Sequence, residues 1–345
     1  MTTLDELGGW PTVLDRLTRG LDLDAEQAGA ALTAMLADDA TPAQMAGFIV
    51  AMRVKGESVA EMSGMVEAMR DAAVPLTVPA DAIDIVGVGG SPSRRESALN
   101  VSTMASVVAA AAGAVVCKHG NRRASSTSGS FDLLEALGVG IDLGPDEVER
   151  CVAEVGLAFV FARTFHPAMR HVAPVRAELG IPTVFNVLGP LSHPGRLTRQ
   201  VIGVADWGIA DRMIRVLAAT GSRRAWLVHG AGGLDELTTT GTSRVLELDE
   251  GEITERFVDA TDVGLARATP EQLAGGDAAA NAEIARRVFA GESGPHRDIV
   301  VLNAAAGLVV AGVAADLADG VERAAEALDS GAAAAKLAAL VAATT

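Results

Sequence analysis

The chain has 345 residues, a net charge of −16, 49% hydrophobic side chains, only 3% aromatics and no tyrosine. That length supports a large core and two domains, and the acidity argues against partners such as nucleic acid or an anionic membrane surface. Cys117 and Cys151 make no metal-site spacing and read as small buried hydrophobes in a reducing compartment.

Met1–Gly9 is polar and acidic, so no signal peptide is expected. The most apolar run, Met104–Cys117, is too short to span a bilayer. No membrane association is expected, and the sequence reads as cytoplasmic.

Residues 1–75 carry only helical signals. Trp10–Leu14 opens one helix and Leu32–Leu36 lies in another. Thr41 followed by Pro42 is a start signal, with Thr41 as cap and Pro42 at the first helical position. Met45, Phe48, Ile49 and Met52 then recur at helical spacing. Ser58-Val59-Ala60-Glu61 matches a capping box. Met62, Met65, Val66 and Met69 follow as an apolar stripe suited to a core or a subunit interface. No strand signal precedes Ile83, so 1–75 is expected to be a small α-helical domain with 166–190 packing on it. Residues 80–345 are expected to form a large α/β domain.

The strand signal Ile83, Ile85, Val86 runs into Gly87-Val88-Gly89-Gly90 and a polar loop. Asn100-Val101-Ser102-Thr103 then opens an alanine-rich helix, with Ser102 or Thr103 as expected N-cap. A second strand, Ala114–Cys117, leads into Lys118-His119-Gly120-Asn121-Arg122. The Ser/Gly loop 125–130 precedes a helix from about Asp132. Two strand–loop–helix units thus each present backbone N–H groups at a helix N-terminus, where an anion is stabilised. Residues 91–130 hold five basic residues (Arg94, Arg95, Lys118, Arg122, Arg123) against one acid, Glu96. A cationic island in an acidic chain suits a small anionic ligand.

Further on, Phe159–Phe161 reads as a strand, and Pro167 as a helix start that sets Met169, Val172 and Arg176 roughly on one side. The apolar runs 201–204, 225–228 and 298–302 alternate with helical stretches, as in a largely parallel α/β sheet. His229-Gly230-Ala231-Gly232-Gly233-Leu234-Asp235-Glu236 ends in paired carboxylates on a loop after a strand, at the usual ligand edge of such a sheet. A solvated acidic turn is the plainer reading of that pair. His171, His193 and His296 are expected to be structural or surface residues rather than catalytic ones.

Lys118-His119-Gly120-Asn121-Arg122, Ser125-Ser126-Thr127-Ser128-Gly129-Ser130, Asn100-Val101-Ser102-Thr103, the 165–176 block and Gly233-Leu234-Asp235-Glu236 closely resemble the anthranilate phosphoribosyltransferase family. The resemblance covers nearly the whole chain. It implies a small helical domain plus a large α/β domain with a mostly parallel central sheet, of the nucleoside phosphorylase/phosphoribosyltransferase-like kind. It also implies a magnesium-dependent transfer of 5-phosphoribose from PRPP to anthranilate, and a homodimer formed through the helical domain.

By that resemblance the PRPP-binding residues are Gly87, Gly89, Gly90, Ser91, Asn100, Ser102, Thr103, Lys118, Asn121, Ser125, Ser126 and Gly129. The anthranilate-binding residues are His119, Asn121, His166, Met169 and Arg176, the arginine fork matching the carboxylate. Ser102, Asp235 and Glu236 are the expected Mg2+ ligands. No covalent nucleophile is expected. Residues 275–281 and 302–305 also resemble the family, as architecture.

The donor loop departs from the family's Gly-Thr-Gly-Gly-Asp-Gly: Val88 stands for the threonine and Ser91 for the aspartate. Its interval to Asn100 is longer and contains Arg94 and Arg95, and the acid usual before Gly-Leu-Asp-Glu is missing. Three readings stay open at this point: transfer to anthranilate, transfer to another small acceptor, or a silent PRPP- or diphosphate-binding protein.

Overall fold

The structure, a computed structural model, describes residues 2–89, 91, 98–122 and 127–345. Gly90, Arg94, Arg95, Glu96, Arg123, Ser125 and Ser126 among the residues singled out above lie outside them.

The chain divides into two units. The first gathers residues up to Pro75 with 165–196 and 215–221. Its N-terminal helices are Gly9–Thr18, Ala25–Leu36, Pro42–Lys55 and Val59–Asp71. Three of them start alike: Asp24 with Gln27, Thr41 with Gln44 and Ser58 with Glu61 form reciprocal capping boxes. Each box satisfies two N–H groups that the helix itself cannot. Both methionine stripes point inward, with Met45, Met52, Met62, Met65 and Met69 all buried. They form the core of this unit, so they offer no face to a partner. Arg70, also buried, ties the fourth helix to later chain by donating to the carbonyls of Leu191 (3.0 Å) and Thr220 (3.2 Å).

The second unit is built on a seven-stranded sheet. Its strands are β1 Ile83–Gly87, β2 Val116–Gly120, β3 Leu157–Phe161, β4 Arg199–Gly203, β5 Arg224–His229, β6 Ser243–Asp249 and β7 Glu252–Val258. Their order is β3-β2-β1-β4-β5-β6-β7. The first five are parallel, and β6 and β7 add antiparallel. The expected mostly parallel sheet is therefore present.

Two boundaries differ from the sequence reading. β2 continues through Lys118 and His119 to Gly120, because each pairs with β3 as far as Phe161. Residues 298–302 lie inside the helix Pro295–Ala311 rather than in a strand. That helix is buried on nearly every side, so it shows the unbroken apolar run of a core strand. The hairpin β6–β7, not anticipated, turns at Glu250 (φ 46) and Gly251 (φ 93). Positive φ at both central residues suits the right-handed twist of the flanking strands. Among the described residues no single helix is long and apolar enough to cross a membrane.

Candidate active site

In the parallel part of the sheet the chain steps outward from β1 through β2 to β3, then returns to place β4 on the other flank of β1. The strand order reverses between β1 and β4. Loops leaving the carboxyl ends of neighbouring strands diverge at such a point and leave a crevice for a ligand.

Asp235 sits over this point. Its Oδ2 accepts the Gly89 N–H at 2.8 Å. A Cβ on Gly87 would lie 2.4 Å from that same oxygen, and one on Gly203 only 1.6 Å from the Asp235 carbonyl. Both strand ends must therefore be glycine for the loop to come this close. The backbone closes the arrangement, with Val88 N–H donating to Gly203 O at 2.9 Å. The carboxylate pair is thus anchored on the donor-loop glycines. Glu236 is itself buried, which excludes a merely solvated turn.

Beneath lies a buried charge pair that the sequence reading missed. Asp84 on β1 is fully buried and Lys118 on β2 almost so. Asp84 Oδ1 accepts the His119 N–H at 3.2 Å, and Lys118 Nζ donates to His119 O at 3.3 Å. Burial pushes the Asp84 carboxyl up, against the pull of Lys118. Burial likewise pushes the Lys118 ammonium down, while Asp84, Asp235 and Glu236 oppose the shift. One cation thus faces three carboxylates from beside the crevice. The signal was an aspartate inside an otherwise apolar strand, Ile83-Asp84-Ile85-Val86.

The helix Val101–Ala111 is capped by Asn100, not by Ser102 or Thr103, and Asn100 gives it no side-chain cap. The Asn100 side chain instead donates to Ser128 O (3.2 Å) and accepts from the Ser128 hydroxyl (3.0 Å). Thr103 is buried, and among the described residues its hydroxyl has no hydrogen-bond partner. Ser102 is half-buried one residue before it. The second helix start differs: at Ser130–Ala136 the Gly129 N–H is already bonded to Asp132 at 2.9 Å. The cationic island is also weaker than its composition suggests. Arg122 is paired with Asp132 (3.1 Å) and Glu135 (2.9 Å), acids beyond the counted window. Asn121 is exposed, and its Oδ1 accepts the Arg122 N–H. Ser91 and His119 are buried.

His166, Met169 and Arg176 belong to the helical unit. Arg176, on the helix Met169–Leu179, is half-buried and lies over the Phe185 ring at 5.2 Å. Burial pushes its guanidinium down, and among the described residues no carboxylate is paired with it. Phe185 was in no candidate set; nothing in its spacing marked it as a cation's platform. Burial also pushes the His166 imidazole down to about 4, so it is neutral at pH 7. The four other histidines have contacts of their own, His171 with Asp38, His193 with Gly195 N, His229 with Val204 O and His296 with Ala274 O.

Among the described residues no group of three or more His, Cys, Asp or Glu side chains could hold a metal alone. Asp235 and Glu236 are nevertheless adjacent hard-oxygen donors. A small hard cation is usually held by one or two carboxylates, with substrate phosphates and water supplying the rest. The donor set fits magnesium on those terms.

Comparison with known proteins agrees with this geometry. A family model described as "Glycosyl transferase family, a/b domain" matches residues 79–334, and "Glycosyl transferase family, helical bundle domain" matches 11–73. Anthranilate phosphoribosyltransferase of Rhodopseudomonas palustris is 49% identical over 96% of this chain and 97% of its own. The crystal structure of the Thermus thermophilus anthranilate phosphoribosyltransferase superposes with a TM-score of 0.90 at 44% identity, covering 96% and 99% of the two chains. The Saccharomyces cerevisiae enzyme in complex with PRPP and Mg gives a TM-score of 0.86 at 26% identity, covering 97% and 98%.

Proposed function

Because the chain belongs to the anthranilate phosphoribosyltransferase family, we infer that it transfers 5-phosphoribose from PRPP to the amine of anthranilate and releases diphosphate. Within the chain, the observation that carries this reading is the Asp235 carboxylate held on the Gly89 N–H at the sheet's switch point.

The reaction separates a dianionic or more highly charged leaving group from a ribose carbon that becomes cationic. It needs charge neutralisation and alignment rather than a protein nucleophile. Gly87, Gly89 and Ser91, with Ser102 and Thr103 at the open helix start, cradle the diphosphate. Lys118 offsets part of its charge. Asn100, Asn121 and Gly129 hold the ribose and 5-phosphate side. Asp235 and Glu236, with Ser102, would hold Mg2+, which when bound neutralises charge on the departing diphosphate.

Anthranilate's aryl amine is already neutral near pH 7, so positioning suffices for it. Its carboxylate calls for a planar cation without a carboxylate of its own, and Arg176 is such a group. His166, neutral through burial, and Met169 stand on the same segment and border the acceptor. The reading extends to a homodimer formed through the helical unit and to a cytoplasmic enzyme.

The test is direct. Wild-type protein with PRPP, anthranilate and magnesium should consume anthranilate, read as loss of its fluorescence. No loss, with PRPP still bound, would transfer the reading to another small acceptor.

A further inference from the structure

The last residue of the motif 275–281 is bonded to Asn100, a residue of the donor-site reading. Asn281 is fully buried in the first turn of the helix Ala278–Phe289. Its Oδ1 accepts the Gly276 N–H at 2.9 Å. Its Nδ2 donates to Ala98 O and to Asn100 Oδ1, both at 2.8 Å, with a longer contact of 3.3 Å to Gly276 O. The partners fix which way the amide faces, since a backbone N–H requires the oxygen and a backbone carbonyl requires the nitrogen.

The chain of bonds continues outward. Asn100 Oδ1 also accepts from the Ser128 hydroxyl, and Asn100 Nδ2 donates to Ser128 O. Three segments distant in sequence, 98–100, 128–129 and 276–281, are thereby held by one amide relay. Backbones pack closely behind it, because a Cβ on Gly275 would fall 2.4 Å from Ala98 O.

The relay has a consequence for the helix Val101–Ala111. An asparagine at the N-cap normally turns its side chain onto the N–H groups of the first turn. Here Asn281 and Ser128 draw that side chain away, and the helix has no side-chain cap. The Val101 N–H is bonded to Leu99 O at 2.9 Å, but among the described residues the Ser102 and Thr103 N–H groups stay open for an anion, beside the buried Thr103 hydroxyl that has no hydrogen-bond partner there.

We propose that Asn281 is a positioning residue for the PRPP cradle: it holds Asn100 off its own helix and fixes Asn100 against the Ser128–Gly129 turn. The proposal rests on the donor-site reading given above. Asn281 itself touches no substrate; it acts through Asn100.

The experiment compares Asn281→Asp and Asn281→Ala with wild type in steady-state kinetics, together with the thermal midpoint of each protein. Asn281→Asp keeps the shape but sets a carboxylate oxygen against two acceptors, Ala98 O and Asn100 Oδ1. KM for PRPP should rise about tenfold or more, the scale expected when binding groups lose preorganisation. KM for anthranilate should change by less than about threefold, because the acceptor groups are not in the relay. A merely structural role would lower the midpoint and leave KM for PRPP unchanged at temperatures where the variant is folded, and that result overturns the proposal. Ser128→Ala tests the far end of the relay and covers the case in which Asn281 variants do not fold. It should raise KM for PRPP several-fold, and an unchanged value overturns the proposal. In a double-mutant cycle, Ser128→Ala and Asn281→Ala should be less than additive. If wild type shows no saturable use of PRPP, the donor reading fails and takes the proposal with it. If wild type saturates and the variants match it, only the proposal fails.

Discussion

Arg176 and His166 show two opposite outcomes of burying a basic side chain. The guanidinium keeps its charge despite burial, because its ordinary value lies far above neutrality. With Phe185 as its contact and no carboxylate paired to it among the described residues, it is arranged for an outside anion. Arg176→Ala should weaken use of anthranilate by roughly 1.5–3 kcal/mol, the range for a charge-assisted hydrogen bond, and leave KM for PRPP nearly unchanged. Steady-state kinetics with each substrate varied would separate the two, and equal losses would make Arg176 structural. The imidazole instead gives up its charge: burial lowers it to about 4, whereas an unfolded histidine titrates at about 6.5. Between those values the unfolded chain binds more protons, so stability rises with pH across the window. The contribution is whole above about pH 6.5 and is lost as the pH falls toward about 4, on the order of 3 kcal/mol in all. Urea midpoints for wild type should therefore drop more steeply from about pH 7 to about pH 5 than those of His166→Gln. Parallel drops would mean that another group controls the acid side.

Among the elements, helix starts are where local chemistry decides most. In Ser58-Val59-Ala60-Glu61 the carboxylate does more than close a capping box. Glu61 is fully buried, accepts the Leu23 N–H at 2.8 Å and pairs with Lys55 at 2.8 Å. Glu61→Ala loses charge-assisted bonds to Lys55 and to the buried Leu23 N–H, although Lys55 keeps Asp22 and Gly56 O, so it should cost about 2–3 kcal/mol. Ser58→Ala, losing only the cap, should cost about 1 kcal/mol. Chemical denaturation of the two variants would rank them, and equal costs would show the Lys55 pair to contribute nothing. Such starts were legible because capping depends on residues three apart in sequence. So were β1, the apolar stripes of the helices Pro42–Lys55 and Val59–Asp71 and the carboxylate pair of the loop after β5. What stayed hidden depends on distant chain. The helix through 298–302 shows no polar face, because other elements cover it all round. Glu250-Gly251 turns a hairpin without the Asn-Gly or Asp-Gly signature. The Asn100 cap was misassigned because the groups that pull its side chain aside, Ser128 and Asn281, are 28 and 181 residues away. The charge of the 91–130 window was overstated for the same reason, since Arg122 finds its acids outside it.

At the scale of the whole molecule, the methionine stripes cannot receive a second copy, because the helical unit buries them for itself. A different stripe remains on the helix Pro42–Lys55. Ala43, Gly47, Val50 and Val54 recur at i, i+4, i+7 and i+11, opposite the buried Met45, Phe48, Ile49 and Met52. Val54 is 82% exposed and Val50 36%. That spacing keeps a seam on one side of a helix over three turns, the pattern that packs against another helix. The same face on a second copy would be self-complementary under a two-fold axis, and the small, exposed Ala43 would let the helices approach closely there. Elsewhere the chain's net charge of −16 makes self-association unfavourable, so contact should be confined to such an uncharged strip. Sedimentation at micromolar concentration should give twice the chain mass for wild type. The double variant Val50→Glu, Val54→Glu should sediment as a folded monomer with an unchanged far-UV spectrum. A monomeric wild type would remove the homodimer from the reading of this protein; a double variant that stays dimeric would place the contact on another face.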